Sequence, residues 1–309
     1  MSIESTDVWV LHDLPRLNRA ILVDGAEPAI LTQTLRDVVL PPLVAPSCLP
    51  PGDAQQLLVH LGLVGASVAR HHQERRPDGK ATPERAFDGL LVGSEQIPFR
   101  TYFAELADRT GTGHCGRDSY ASLVRWNVGT IEVRLDGEVL AVLPGVFDDG
   151  RIRTYTGTAA EERFFALVKK SEAVELAVNR QLEPLTGPGV RLDDADAVQR
   201  VRTATVLLDA LRRLFVNFAA LPPERSMPPD HFLDVFRQFA VHWTVDDVPP
   251  SGALDSESLK RDFLLGLALP DYAGHVRRLF PALLADERAE LEHLMTQPTL
   301  PQRLAAALG

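Results

Sequence analysis

The sequence predicts a mostly α-helical protein, and three observations carry that expectation. Long stretches repeat apolar residues at intervals of three and four, the period of a helix with one buried face. Several of those stretches open on a capping residue or a proline, and one ends in a cationic turn. Only one segment reads as strand. The predicted architecture is a helical bundle with one small β-hairpin at about residues 130–143, formed as a single unit from residues 1–309.

A hydrophobic fraction of 45% and a charged fraction of 24% give 309 residues ample material for a core. A net charge of −10 opposes binding to a phosphate backbone, so no nucleic-acid partner is expected. No apolar run approaches the roughly 20 residues that cross a bilayer. The opening MSIESTDVWVLHDLPRLNRA lacks the basic and apolar regions of a signal peptide. The expectation is a cytoplasmic protein with no membrane partner. Cys48 and Cys115 form no Cys-x-x-Cys pair, which disfavours a disulfide framework, a cysteine zinc site and covalent haem attachment.

The helices can be justified in order. PPGDAQQLLVHLGLVGASVARHHQERRP starts with Asp53 as its cap and ends on cations that suit the helix dipole. Gly62, Gly65, Ala66 and Ala69 make this helix slim, so a backbone or a flat ligand can come close. His60 and His71 share a face of it with Val64 and Ser67. TPERAFDGLL has Thr82 as cap and Pro83 at the first helical position. TIEVRLDGEVLAVLPG is the exception, two β-rich runs around Asp136-Gly137, a dipeptide suited to a tight hairpin turn. The next helix opens on a capping box from Thr158 to Glu161 and carries Phe164, Val168, Ser171, Val174 and Val178 on one stripe. The helix after it presents Val198, Val201, Leu208, Phe215 and Phe218 on one face.

Two aromatic-rich segments follow. Phe232, Phe236, Phe239 and Trp243 form a stripe with His242 beside it. In LALPDYAGHVRRLF, helical spacing aligns Leu264, Ala268, Tyr272, His275 or Val276, Leu279 and Leu283, which places His275 in or at the edge of a core. A buried imidazole needs a partner for each ring nitrogen, and that partner is a polar neighbour or a metal. One neutral imidazole on a helix with arginines nearby suits haem iron and its propionates, and Gly274 removes bulk from the approach. There is no Gly-rich phosphate loop, His-Glu-x-x-His or nucleophile elbow. A single Glu-x-x-His spacing, Glu290 to His293, is half of what a di-iron bundle needs.

SMPPDHFLDVF followed by YAGHVRR resembles the C-terminal part of indoleamine 2,3-dioxygenase-like haem enzymes. DSYASLVRWNVG and EERFFALVKKSEAVE fall in that family's order, similar to its Asn-Trp helix and to its distal-side helix beginning Phe-Phe. Two departures stand out: Trp126-Asn127 reverses the pair, and Lys169 and Lys170 fall inside the second motif. The length, the hairpin and GRIRTYTGTAAEE look more like the bacterial branches, the PrnB enzymes and the haem-dependent tyrosine hydroxylases. The resemblance covers roughly residues 115 to 285.

The resemblance implies a helical fold of the indoleamine/tryptophan dioxygenase type holding non-covalent haem b. It also implies oxygenation of an aromatic amino acid such as L-tyrosine or L-tryptophan by O2 or peroxide, in specialised metabolite biosynthesis. On that reading His275 holds the iron, with Arg277 or Arg278 at a propionate. Tyr120, Arg125 and Arg153 are the candidate substrate contacts, and His71, or else His60, is the distal acid–base. The small-molecule partners are the amino acid and the oxidant, with a homo-oligomer left open. The competing class is a non-catalytic helical binder or sensor of haem or another small ligand. A further alternative is a non-haem metal oxygenase.

Overall fold

The computed structural model describes residues 3–112, 116–187, 189–267 and 269–308. Cys115 and Ala268 lie outside the described residues. The described residues are mostly helical, as the periodicity predicts, and carry two small antiparallel hairpins where the sequence predicts one.

In chain order the N-terminal part consists of α1 (Ile3–Leu22), α2 (Ala29–Thr34), α3 (Pro51–Arg75), a two-stranded hairpin of β1 (Leu91–Val92) and β2 (Ile97–Pro98), and α4 (Phe99–Thr110). The first hairpin has no counterpart in the sequence expectation, because strands of two residues leave no periodic signal. The helix α3 is buried continuously from Leu57 to His71, and α1 and α4 pack against it. Its start differs from the expectation. Pro51 occupies the first helical position after Pro50, so Asp53 sits inside the first turn and does not cap. TPERAFDGLL forms a short 3₁₀ turn over Pro83–Phe87 instead of an α-helix.

The predicted hairpin is β3 (Ile131–Leu135) paired with β4 (Glu138–Leu143). Asp136 and Gly137 both take positive φ, 50° and 89°, which is why this dipeptide makes the turn. Ala141 and Leu143 point inward, and both strands pack on α5 (Ala159–Leu182). Thr158 caps α5 by accepting the Glu161 backbone N–H, but only half of the predicted box forms. The Glu161 carboxylate accepts from Thr156 instead, from its N–H at 3.0 Å and its hydroxyl at 2.6 Å.

The helix α6 (Ala195–Ala219) lies along α5. The predicted stripe is corrected here: Val198, Val201 and Phe215 are exposed, while Ala197, Ala204, Leu207 and Leu211 are buried. Small residues win the contact because Ala197 and Ala204 form one apolar cluster with Ala177 of α5 and let the two backbones approach. A second and larger apolar cluster surrounds α3.

The C-terminal third continues with α7 (Ser256–Leu265), α8 (Tyr272–Leu279), α9 (Ala285–Thr296) and α10 (Leu300–Leu308). Between α6 and α7, His231–Phe236 winds as a π-helical turn and Arg237–Phe239 as a 3₁₀ turn. Asp255 caps α7 through the N–H groups of Glu257 and Ser258, and Gly266 ends it at a φ of 72°. That break splits the LALPDYAGHVRRLF stripe across two helices. In α8 the core position goes to Val276, which is fully buried, and His275 is exposed. Among the described residues no helix is long and apolar enough to cross a membrane.

Candidate functional site

One cavity of about 100 Å³ is lined almost entirely by aromatic and aliphatic side chains. Its walls come from segments far apart in sequence. The π-helical turn Ala121–Arg125 and the residue before it supply Tyr120, Leu123 and Val124. The first turns of α5 supply Phe164, Phe165 and Val168. The turn over His231–Phe236 supplies Phe232 and Phe236, and Tyr155 closes a side. The rings hold one another edge-on and tilted: Phe164 to Phe232 and Phe164 to Phe236 at 5.2 Å, Phe165 to Phe236 at 5.3 Å. Behind them Tyr155 stacks flat on Phe239, with centroids 4.2 Å apart and planes within 2°.

Three of the motifs that carry the resemblance thus converge on one cavity, through Tyr120, through Phe164 and Phe165, and through Phe232 and Phe236. Tyr120 is the predicted substrate contact that reaches it. Its hydroxyl is buried with no hydrogen-bond partner among the described residues. Burial, with Asp255 and Glu172 nearby, holds its pKa well above the usual phenol range, so it stays a neutral donor. Sequence reasoning missed Arg237, which stands exposed in the lining with no carboxylate partner among the described residues. The signal was available: Arg237 directly follows Phe236 on the aromatic stripe.

Arg125 and Arg153 are not in the cavity wall. Arg125 is sealed between Glu172, Glu287 and Ser256, with its Nε 2.6 Å from Glu172 Oε1. Burial pushes Glu172 up to about 8 even with Arg125 beside it. Arg153 lies over the Phe147 ring at 3.5 Å and forks onto Asp7 and Asp149. Its backbone N–H and C=O are held by the Asn127 side chain at 2.9 and 2.7 Å, which gives the reversed Trp126-Asn127 pair a structural use. Lys169 also has one. Its ammonium is buried against the carbonyls of Arg125, Val128 and Pro144 at 2.6, 2.6 and 2.9 Å, and burial lowers it to about 8.

The two distal candidates are buried in α3, outside the aromatic cavity. His60 Nε2 lies 2.7 Å from Asp7 Oδ1, and its ring is 5.4 Å from Phe147. Burial lowers the His60 pKa against the pull of Asp7. His71 Nε2 lies 2.8 Å from Asn18 Oδ1. The Asn18 amide donates to Ser67 Oγ and to the Tyr155 carbonyl, so its oxygen is the atom facing His71 and Nε2 is the donor. Burial, then Arg70 and Arg75, depresses His71 to about 3, so the ring is neutral. Phe239, 6.3 Å away edge-on, and the Tyr155 stacked on it stand between His71 and the cavity.

His275 is exposed on the eight-residue helix α8, with Tyr272 as its ring neighbour at 6.4 Å, and is not part of the cavity wall. Arg277 forks onto Glu292 at 2.9 and 3.0 Å, and Arg278 faces Asp271 at 3.5 Å, all of them at the surface. Gly274, expected to open an approach, is filled by the Asp271 carboxylate, 2.2 Å from where a Cβ would stand. The set His275, Arg277 and Arg278 therefore does not fit a haem seated in the aromatic cavity. Glu290 pairs with Lys260, and among the described residues no group of three or more His, Cys, Asp or Glu side chains is placed to hold a metal ion. No family model matches the chain, and no curated protein matches it.

Proposed function

We propose that the protein takes up the ring of an aromatic amino acid in the cavity beneath Tyr120, in the service of the haem-dependent oxygenation that the resemblance implies. The observation supporting this is the convergence of three separated motifs on one aromatic cavity. His275 is exposed on α8 and outside the cavity wall, so iron is not assigned to it.

Size favours a phenol over an indole. A cavity of about 150 Å³ lined by apolar side chains holds one benzene ring, and the volume here is about 100 Å³. A volume below that value offers room on the scale of one six-membered ring at most, and the second ring of an indole demands more. Among the described residues of the lining, the Tyr120 hydroxyl is the buried polar side-chain atom without a partner, and it donates to the ligand's own oxygen. Arg237 meets the carboxylate at the cavity mouth. Calorimetric titration with L-tyrosine and L-tryptophan tests the binding half, with tyrosine the tighter ligand and Tyr120→Phe weakening it. The absorption spectrum of protein supplied with haem, followed by turnover under O2 or peroxide, tests the oxygenase half.

One observation favours the non-catalytic alternative, a small-ligand binder: among the described residues the cavity wall includes no imidazole. Tight tyrosine binding without a haem spectrum supports that second reading.

A further inference from the structure

A second cleft, of about 600 Å³, lies between α2, the C-terminal end of α3 and the turn Pro83–Phe87. Arg36, Arg75, Arg76 and Arg85 line it, against the carboxylates of Glu27 and Asp88, in a chain whose net charge is −10. Arg75 and Arg76 have no carboxylate partner among the described residues. Arg85 has Asp78 at 3.8 Å, and among the described residues Arg36 donates to the carbonyls of Asp88 and Gly89. The dipole at the end of α3 accounts for cations at positions 75 and 76. It does not account for Arg36 and Arg85, which arrive from other elements.

The same wall holds two buried imidazole nitrogens with no partner among the described residues, His71 Nδ1 and His72 Nε2. The Asn18 contact fixes the proton of neutral His71 on Nε2, so Nδ1 is a bare acceptor. A ligand that satisfies this wall carries an anionic group for the guanidinium cluster and a hydroxyl donor for the imidazole. The geometry points to an organic phosphate bearing hydroxyl groups, of the size of a sugar phosphate, as the ligand of this cleft. The phosphate sits among Arg75, Arg76 and Arg85, and a hydroxyl donates to His71 Nδ1. This site is separate from the aromatic cavity and does not rest on its proposed function.

The test is calorimetric titration of the full chain with ribose 5-phosphate, with ribose and inorganic phosphate in separate arms. Ribose 5-phosphate binds, and each half alone binds at least tenfold more weakly. The double variant Arg75→Gln, Arg76→Gln changes two exposed side chains and weakens ribose 5-phosphate at least tenfold. The control Arg212→Gln, Arg213→Gln removes the same charge from α6 and leaves binding unchanged. Absence of binding at millimolar ribose 5-phosphate overturns the proposal. So does equal loss in both double variants, which marks a nonspecific charge effect. Inorganic phosphate binding as tightly as ribose 5-phosphate also overturns it, because the hydroxyl contact then contributes nothing.

Discussion

Gly65 and Trp243 are in direct contact: a Cβ built on Gly65 would lie 2.2 Å from the Cη2 atom of the indole. The flat group for which α3 is slim is therefore a side chain of the protein itself. Trp243 is fully buried, with Phe87, Phe99 and Phe103 around it at 5.2, 6.2 and 5.0 Å. Gly65→Ala forces the indole or the helix to move, which costs roughly 1–3 kcal/mol or more in a packed core. Gly52→Ala, also in α3 but with nothing within 4 Å of the added methyl, is the control. Urea denaturation should show a lower midpoint for the first variant and none for the second.

The arginines should separate by role. Arg237→Leu at the cavity mouth is expected to raise the dissociation constant for L-tyrosine about tenfold, the value of a charged hydrogen bond of ~1.5 kcal/mol. Tyramine, which has no carboxylate, should bind both proteins alike. Arg125→Leu leaves the Glu287 carboxylate buried without its cation and Glu172 Oε1 without its donor, and should cost about 3–5 kcal/mol of stability. Equal effects on tyrosine and tyramine would sink the carboxylate contact.

Stability should depend on pH through the buried carboxyls of α5. The folded state holds Glu172 at about 8 and Glu175 at about 7, both raised first by burial. Between the usual carboxyl range and those values the folded chain binds more protons than the unfolded chain. Their contribution is thus fully present in acid and is lost as pH rises through 7 to 8. Thermal or urea unfolding of wild type and Glu172→Gln across pH 5–9 should diverge in slope by up to ~1.4 kcal/mol per pH unit. Parallel profiles would refute the shift.

His275→Ala removes an exposed imidazole whose helix is anchored by Val276. It is expected to change stability by less than about 0.5 kcal/mol. In a haem titration it should leave the stoichiometry and Soret position of wild type. Loss of the Soret band in this variant alone would return the iron to α8.

The sequence by itself determined what is local. Asp136-Gly137 fixes its hairpin because the turn needs positive φ, and Thr158 fixes the start of α5 because its hydroxyl accepts the Glu161 N–H. The period of the long helices came through for the same reason, since backbone geometry repeats within a few residues. His242 stands off the Phe239 and Trp243 stripe as the spacing requires, bonded to Asp247 at 2.8 Å. Tertiary structure decided which of two adjacent residues faces inward, as with Val276 over His275. It also chose the buried face of α6, where small side chains prevailed over larger ones by allowing close approach. The fate of the charges belongs to it as well. Arg125 meets Glu172 across 47 residues and Arg153 meets Asp7 across 146, pairings that no local spacing encodes. Tyr120, Phe165 and Phe236 share a cavity for that same reason: burial belongs to the surfaces that elements present to each other, and a single segment carries only its own half of the contact.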